Sequence, residues 1–183
     1  NAIVDWVRVE LRSATTPSSV VATRQGLLQR DGDIVAADGV SPLVFNIGAG
    51  TYHVAVRHRN HLGVMTANPL VISGSPVVLD LSSPATATWG TNARKTNGAT
   101  MLLWAGNAMP DAQIKYTGSG NDRDPILQLV GSATPTATMT GYNAMDITLD
   151  GSTKYTGSGN DRDPILVNVG STTPNAVRGE QIP

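Results

Sequence analysis

The chain has 183 residues, 13 Lys and Arg against 14 Asp and Glu, and a net charge of −1, with 40% hydrophobic and 15% charged residues. So balanced a charge offers no field to gather nucleic acid or an anionic membrane. The absence of cysteine excludes disulfides and thiolate metal sites, and no apolar run approaches a membrane span.

The 19 Gly and 11 Pro lie scattered among Thr and Ser, a mix that favours strands and tight turns and predicts a mainly β chain. No signal-peptide pattern opens the sequence. It begins directly in a strand-like pattern, as a processed or excised piece would. Val7, Val9 and Leu11 alternate with Arg8, Glu10 and Arg12, the period of a half-buried strand. Ser19 to Thr23 is a second strand candidate. Leu27 and Leu28 lead into Asp31-Gly32, a turn signal. Leu43 to Ile47 and Thr51 to Arg59 read as strands around Gly48-Ala-Gly50, with Tyr52, Val54 and Val56 sharing a face. Leu70 to Ile72 and Val77 to Leu81 complete the set. About seven short strands at this spacing predict an Ig-like or transthyretin-like β-sandwich over residues 1–82.

The phrase Leu43-Val-Phe-Asn-Ile-Gly-Ala-Gly-Thr-Tyr-His-Val-Ala-Val56 resembles the penultimate hairpin of Cna B-type and carboxypeptidase-regulatory-like modules. No Lys precedes Lys95, so a Lys–Asn isopeptide staple within this region is excluded. Residues 83–99, polar and rich in Thr, Ala and Asn, read as a linker packed around Trp89.

Residues 100–183 contain a duplication, with repeats at 107–135 and 146–174. Lys115 to Leu127 and Lys154 to Leu166 are the same thirteen letters, KYTGSGNDRDPIL, and the copies lie 39 residues apart. Internal repetition of this kind marks one unit used twice. Met101-Leu-Leu-Trp104 is an apolar lead-in. Each repeat then offers an acidic loop, a Gly-Ser-Gly bend and a short helix. Asp124-Pro125 and Asp163-Pro164 predict helix starts, with Asp as cap and Pro as first helical residue. Gly131 and Gly170 predict the ends. Helices this short are marginal alone, so Ile126, Leu127 and Val130 are expected to pack against Ile165, Leu166 and Val169 about a pseudo-twofold axis.

In register, Asp146-Ile-Thr148-Leu-Asp150-Gly151-Ser152 aligns with Asn107-Ala-Met109-Pro-Asp111-Ala112-Gln113. The D-x-T-x-D-G spacing opens an EF-hand-type calcium loop, with oxygens at positions one, three and five, a carbonyl at seven and Gly at six. Position twelve falls on Gly118 and Gly157, so the closing carboxylates are expected later, at Asp122 and Asp161. The unit resembles the duplicated loop-helix segments of dockerins, with a longer loop. Two calcium sites are predicted. The second would use Asp146, Thr148, Asp150, the Ser152 carbonyl and Asp161. The first would use Asn107, Asp111, the Gln113 carbonyl and Asp122. The second is expected to be stronger, because Asn107 is neutral, Met109 has no side-chain oxygen and Ala112 replaces the turn glycine. The alternative leaves Asp124 and Asp163 as caps, Arg123 and Arg162 as counter-charges, and Asp150-Gly151 as a plain turn.

His58 and His61 have the look of a zinc pair, with His53 on the opposite face, but the adjacent Arg57 and Arg59 favour a solvated strand end. The Gly-Ser-Gly bends lack the Gly-Lys-Ser/Thr of a phosphate loop. There is no Gly-x-Ser-x-Gly elbow and no coherent nucleophile, base and oxyanion set, so no enzymatic activity is expected.

Nearly the whole chain resembles the C-terminal region of large secreted, hemagglutinin- or adhesin-like surface proteins of Bacteroidota. The resemblance is carried by Asn1-Ala-Ile-Val-Asp-Trp-Val7, Val21-Ala-Thr-Arg24, Leu27-Leu-Gln-Arg-Asp-Gly-Asp33, Tyr52 to Met65 and both KYTGSGNDRDPIL copies. That family commonly has Gly-Asp-Gly where Pro110-Asp111-Ala112 stands here. The resemblance implies an extracellular or cell-surface role, no known reaction, and a natural C-terminus at Arg178 to Pro183. The expected function is a calcium-stabilised structural module of a surface or fibrous assembly. The alternatives are a module that binds surface glycans and a dockerin-like module that docks a partner. Asn1 to Arg12 is expected to pair with a neighbour's sheet edge, giving a homo-oligomer or filament.

Overall fold

The computed structural model describes residues 1–183, and the fold is mainly β. It forms two units. The first comprises Asn1–His58, Gly63–Leu102 and Gln181–Pro183, and the second Arg59–Leu62 and Leu103–Glu180. Residues 83–99, expected as a linker, therefore belong to the first unit.

The first unit is built on one six-stranded antiparallel sheet. Its strands are β1 (Ile3–Ser13), β2 (Val20–Gln29), β3 (Ile34–Val35), β4 (Gly50–His58), β5 (Val64–Met65) and β6 (Leu70–Ile72). The order is β3-β2-β1-β4-β5, and β6 pairs the opening residues of β4. Leu43 to Ile47 and Val77 to Leu81, expected as strands, have no ladder partner. Val44 and Val78 accordingly stand exposed.

The N-terminal segment is not a free edge. β1 pairs β2 from Ile3 to Arg12 and β4 from Val7 to Ser13, so it lies in the middle of its own sheet. Val7, Val9 and Leu11 are buried as the alternation requires. The opposite face is not simply polar. Glu10 and Arg12 are also buried, and Glu10 meets Arg8 at 2.9 Å, Arg12 at 2.8 Å and Arg57 at 3.2 Å. Although burial alone would raise it, the bond from Arg12 and the neighbouring guanidinium charges hold Glu10 below the usual carboxylate range. Arg12 also donates to the carbonyls of Pro17 and Pro183.

The segment 83–99 helps close this second face. Thr88 bridges Thr66, the Trp89 amide donates to the Met65 carbonyl, and Trp89 stands edge-on to His53 at 5.5 Å. Arg94 donates to the carbonyls of Leu81, Ser83 and Thr86. A hairpin of β7 (Lys95–Asn97) and β8 (Thr100–Leu102) completes the unit.

The second unit holds the duplication. Its elements are β9 (Gln113–Lys115), α1 (Arg123–Val130), β10 (Thr138–Thr140), β11 (Ser152–Lys154), α2 (Arg162–Val169) and β12 (Val177–Gly179). The repeats exchange their tails. β10, which follows the first repeat, pairs β11 of the second, and β12, which follows the second, pairs β9 of the first. Thr117 follows the same exchange by donating to the Pro174 carbonyl, and Thr156 by donating to that of Pro135. Ile114, Ile126, Ile147, Ile165 and Val169 form the core, joined by Leu62 and Ala108.

The helix starts differ from expectation by their cap. Asn121 and Asn160, not Asp124 and Asp163, accept the capping N–H: Asn121 Oδ1 from Asp124 at 3.1 Å and Asn160 Oδ1 from Asp163 at 3.0 Å. Pro125 and Pro164 lie inside the first turn rather than at its first residue. Gly131 and Gly170 do end the helices, at φ 95° and 110°. A side chain at either would meet the Thr hydroxyl three residues on, Thr134 or Thr173, at 2.6 Å.

Candidate metal centre

The second loop folds as its letters require. Leu149 and Gly151 take left-handed φ values of 60° and 82°, which wrap the chain around Asp146. Asp146 Oδ1 accepts from the Asp150 amide at 3.2 Å and Oδ2 from the Gly151 amide at 3.0 Å. Asp161 returns from the start of α2 to close the loop. Its Oδ2 accepts from the Lys154 amide at 2.8 Å, and its Oδ1 accepts from the Thr148 amide at 3.0 Å and the Thr148 hydroxyl at 3.1 Å. That hydroxyl also lies 3.4 Å from Asp146 Oδ1. Asp146, Thr148 and Asp161 are thus brought together, with both carboxylates buried.

Asp150 is different. Its Oδ1 accepts from the Ser152 amide at 2.8 Å, and its half-exposed Oδ2 lies 3.7 Å from Lys154 Nζ. Ser152 contributes that amide and opens β11, and no bond of its side chain enters the cluster.

The first loop repeats the frame with fewer charges. Asp122 Oδ1 accepts from the Met109 amide at 2.9 Å and Oδ2 from the Lys115 amide at 2.7 Å. Asp111 Oδ1 accepts from the Gln113 amide at 3.0 Å. Ala112 takes the left-handed turn at φ 62° despite its Cβ. Asn107 is buried with its carboxamide against the carbonyls of Met109 and Gln113, and with the nitrogen turned toward them the amide donates to both, to Gln113 at 3.0 Å.

Two electrostatic facts follow. Asp122 and Asp161 are 1% and 0% exposed, and neither has a cationic side chain against it. Burial raises both carboxyls above their usual range, Asp122 to about 6. Asp146 has one counter-charge, Arg59 Nη2 at 3.9 Å from Oδ2.

Arg59 and its neighbour Asn60 were missed in the sequence. Asn60 is fully buried. Its side chain donates to the carbonyls of Ala144 and Asp146, and its own carbonyl accepts from the amides of Gly106 and Asn107. It therefore ties together the starts of both loops. The crowding of donors in Arg57-His-Arg-Asn-His61 was the available signal.

The histidines of that run do not form a zinc pair, nor is His58 solvated. The His58 side chain is 3% exposed and lies 3.1 Å from Asp5 Oδ2, while His61 bonds Asn60 and His53 bonds the Thr66 carbonyl.

No three His, Asp or Glu side chains gather as a metal shell. What the second loop offers is oxygen: two carboxylates and a hydroxyl. Each carboxylate has room for about four acceptor contacts, so the amide bonds leave lone pairs. This donor set fits a hard cation that accepts six to eight oxygens in flexible geometry, and it does not fit a soft metal. Compared with family models, curated proteins and solved structures, the chain matches none.

Proposed function

We propose that this chain is a non-enzymatic, extracellular structural module whose duplicated unit is stapled by calcium, most strongly in the second loop. One observation carries the reading: Asp161 is fully buried without a counter-charge and shares the Thr148 hydroxyl with Asp146. A buried carboxylate costs several kcal/mol unless it is protonated or paired. A divalent cation between Asp146 and Asp161 would supply the pairing and close the loop.

The extracellular setting rests on the sequence resemblance, and calcium levels outside cells suit weak oxygen sites. The Ig-like or transthyretin-like sandwich and the dockerin-like unit remain part of the same reading. The first is supported by the six-stranded antiparallel sheet, although Leu43 to Ile47 and Val77 to Leu81 add no strand to it, and the second by the paired loop-helix repeats. Assembly into filaments through β1 would require strand exchange, because β1 is already paired within its own sheet.

Thermal melts in calcium and in chelator test the proposal. Calcium at a hundredfold excess over its Kd should add about 2.7 kcal/mol. Superimposable melts would overturn it.

A glycan-binding reading has one observation in its favour. Trp6 is 47% exposed beside Val4, whereas Trp89 packs on His53 and Trp104 is covered by Arg178 at 3.5 Å. Glycan-array binding abolished by Trp6→Ala would select that reading.

A further inference from the structure

The two loops share a frame but differ at their first position, Asn107 against Asp146. In the first loop the carbonyl oxygens of Met109 and Gln113 both point at the Asn107 side chain. Two oxygens directed at one point need a positive partner there. The carboxamide supplies one, because a single NH2 group carries two N–H donors. Only with its nitrogen facing inward does the amide satisfy both carbonyls, and that orientation follows from the hydrogen-bond network. Asn107 is 7% exposed, so water has little access to replace it.

We infer that the Asn107 amide is a built-in substitute for the cation, locking the first loop in its closed form without metal. The chain then takes one divalent cation rather than two. Residue 107 decides which loops load. The inference rests on the calcium reading of the second loop and extends it to the choice between loops.

The chemistry is reversible in both directions. Asn107→Asp removes both N–H donors and sets a carboxylate against two carbonyl oxygens. That arrangement repels itself unless a hard cation enters. Asp146→Asn does the converse, exchanging the carboxylate that anchors the second loop for a neutral amide.

Calorimetric titration of the full chain with calcium chloride tests this. Wild type should bind one ion, Asn107→Asp two and Asp146→Asn none. In chelator, Asn107→Asp should melt below wild type and regain its stability when calcium is added. Two ions on wild type, or one on a folded Asn107→Asp, would overturn the inference while leaving the calcium reading intact. No binding to wild type would overturn the calcium reading itself. If Asn107→Asp folds only with calcium present, the lock is supported. If it folds in neither condition, Asp146→Asn decides: a folded chain that binds no ion supports the inference, and one that still binds an ion overturns it.

Discussion

Thr153 stands in the second repeat where Ile114 stands in the first, and both are fully buried. The Ile buries only carbon. The Thr hydroxyl is buried without a hydrogen-bond partner, which costs about 1–3 kcal/mol. Thr153→Val keeps the shape and removes the orphan. It should stabilise the chain by about 1 kcal/mol and raise Tm by about 2–4 °C. A fall in Tm would mean that the hydroxyl has a role that packing does not reveal. At this scale the candidate site was partly legible. The D-x-T-x-D-G spacing located Asp146 and Thr148, and the acid beyond the Gly-Ser-Gly bend proved to be the partner that meets them. Asp111 and Asp150 were read as ligands from the same spacing. Each gives one carboxylate oxygen to the amide two residues ahead, as Asp146 and Asp161 also give theirs to backbone amides, and keeps lone pairs. The role of Asn107 was not legible, because it depends on where the carbonyls of Met109 and Gln113 point.

The thirteen identical residues make sense among the elements. Most polar members of that stretch are used alike in both copies, although Lys154 lies 3.7 Å from Asp150 and Lys115 has no such ion pair. Asn121 and Asn160 cap, Asp122 and Asp161 tie loop to strand, and Arg123 and Arg162 lie over Tyr116 and Tyr155, each at 5.1 Å. The duplication predicted that Ile126, Leu127 and Val130 would pack against Ile165, Leu166 and Val169. Ile126, Ile165 and Val169 share one buried cluster, whereas Val130 is buried outside it and Leu127 and Leu166 are only half-buried. The exchange of tails was not predicted. Strands of three residues carry no readable period, and β10 and β12 are recognisable only by the partners they reach.

The tie formed by Asp122 gives a pH dependence. Its folded pKa of about 6 lies above the ordinary Asp value. Between the two, the folded chain holds a proton that the unfolded chain has lost. This contribution is present below the unfolded pKa and is lost as pH rises through 6. In chelator, moving from pH 7 to pH 5 should therefore stabilise wild type by about 1 kcal/mol relative to Asp122→Asn. Chemical denaturation at the two pH values measures it, and a loss on acidification beyond that of the variant would refute it. With calcium in the second loop, acid should act oppositely there, because protonating Asp161 expels the ion.

Across the whole molecule the mainly β character was visible in composition and alternation, and a division near residue 100 in the duplication, but the two places where the chain crosses between units were not. Residues 59–62 leave the end of β4 to join the second unit, and residues 181–183 belong to the first. Neither crossing has a local signature, since each is held by distant carbonyls: Pro183 by Arg12, and Ala144 and Asp146 by Asn60. The stretch 83–99 looked like a linker because it is polar and aperiodic, yet its order comes from Trp89 and Arg94. The buried faces of Glu10 and Arg12 were hidden for a related reason, because alternating charges predict solvent unless their partners are known.

One measurement bears most directly on the calcium-stapled unit: a crystal structure of the full chain grown in calcium, with anomalous scattering used to locate the ion. The account predicts one ion between Asp146, Thr148 and Asp161, with oxygens at about 2.3–2.6 Å. A second loop without an ion under those conditions, with Asp161 bonded only to Thr148 and the Lys154 amide, would contradict it.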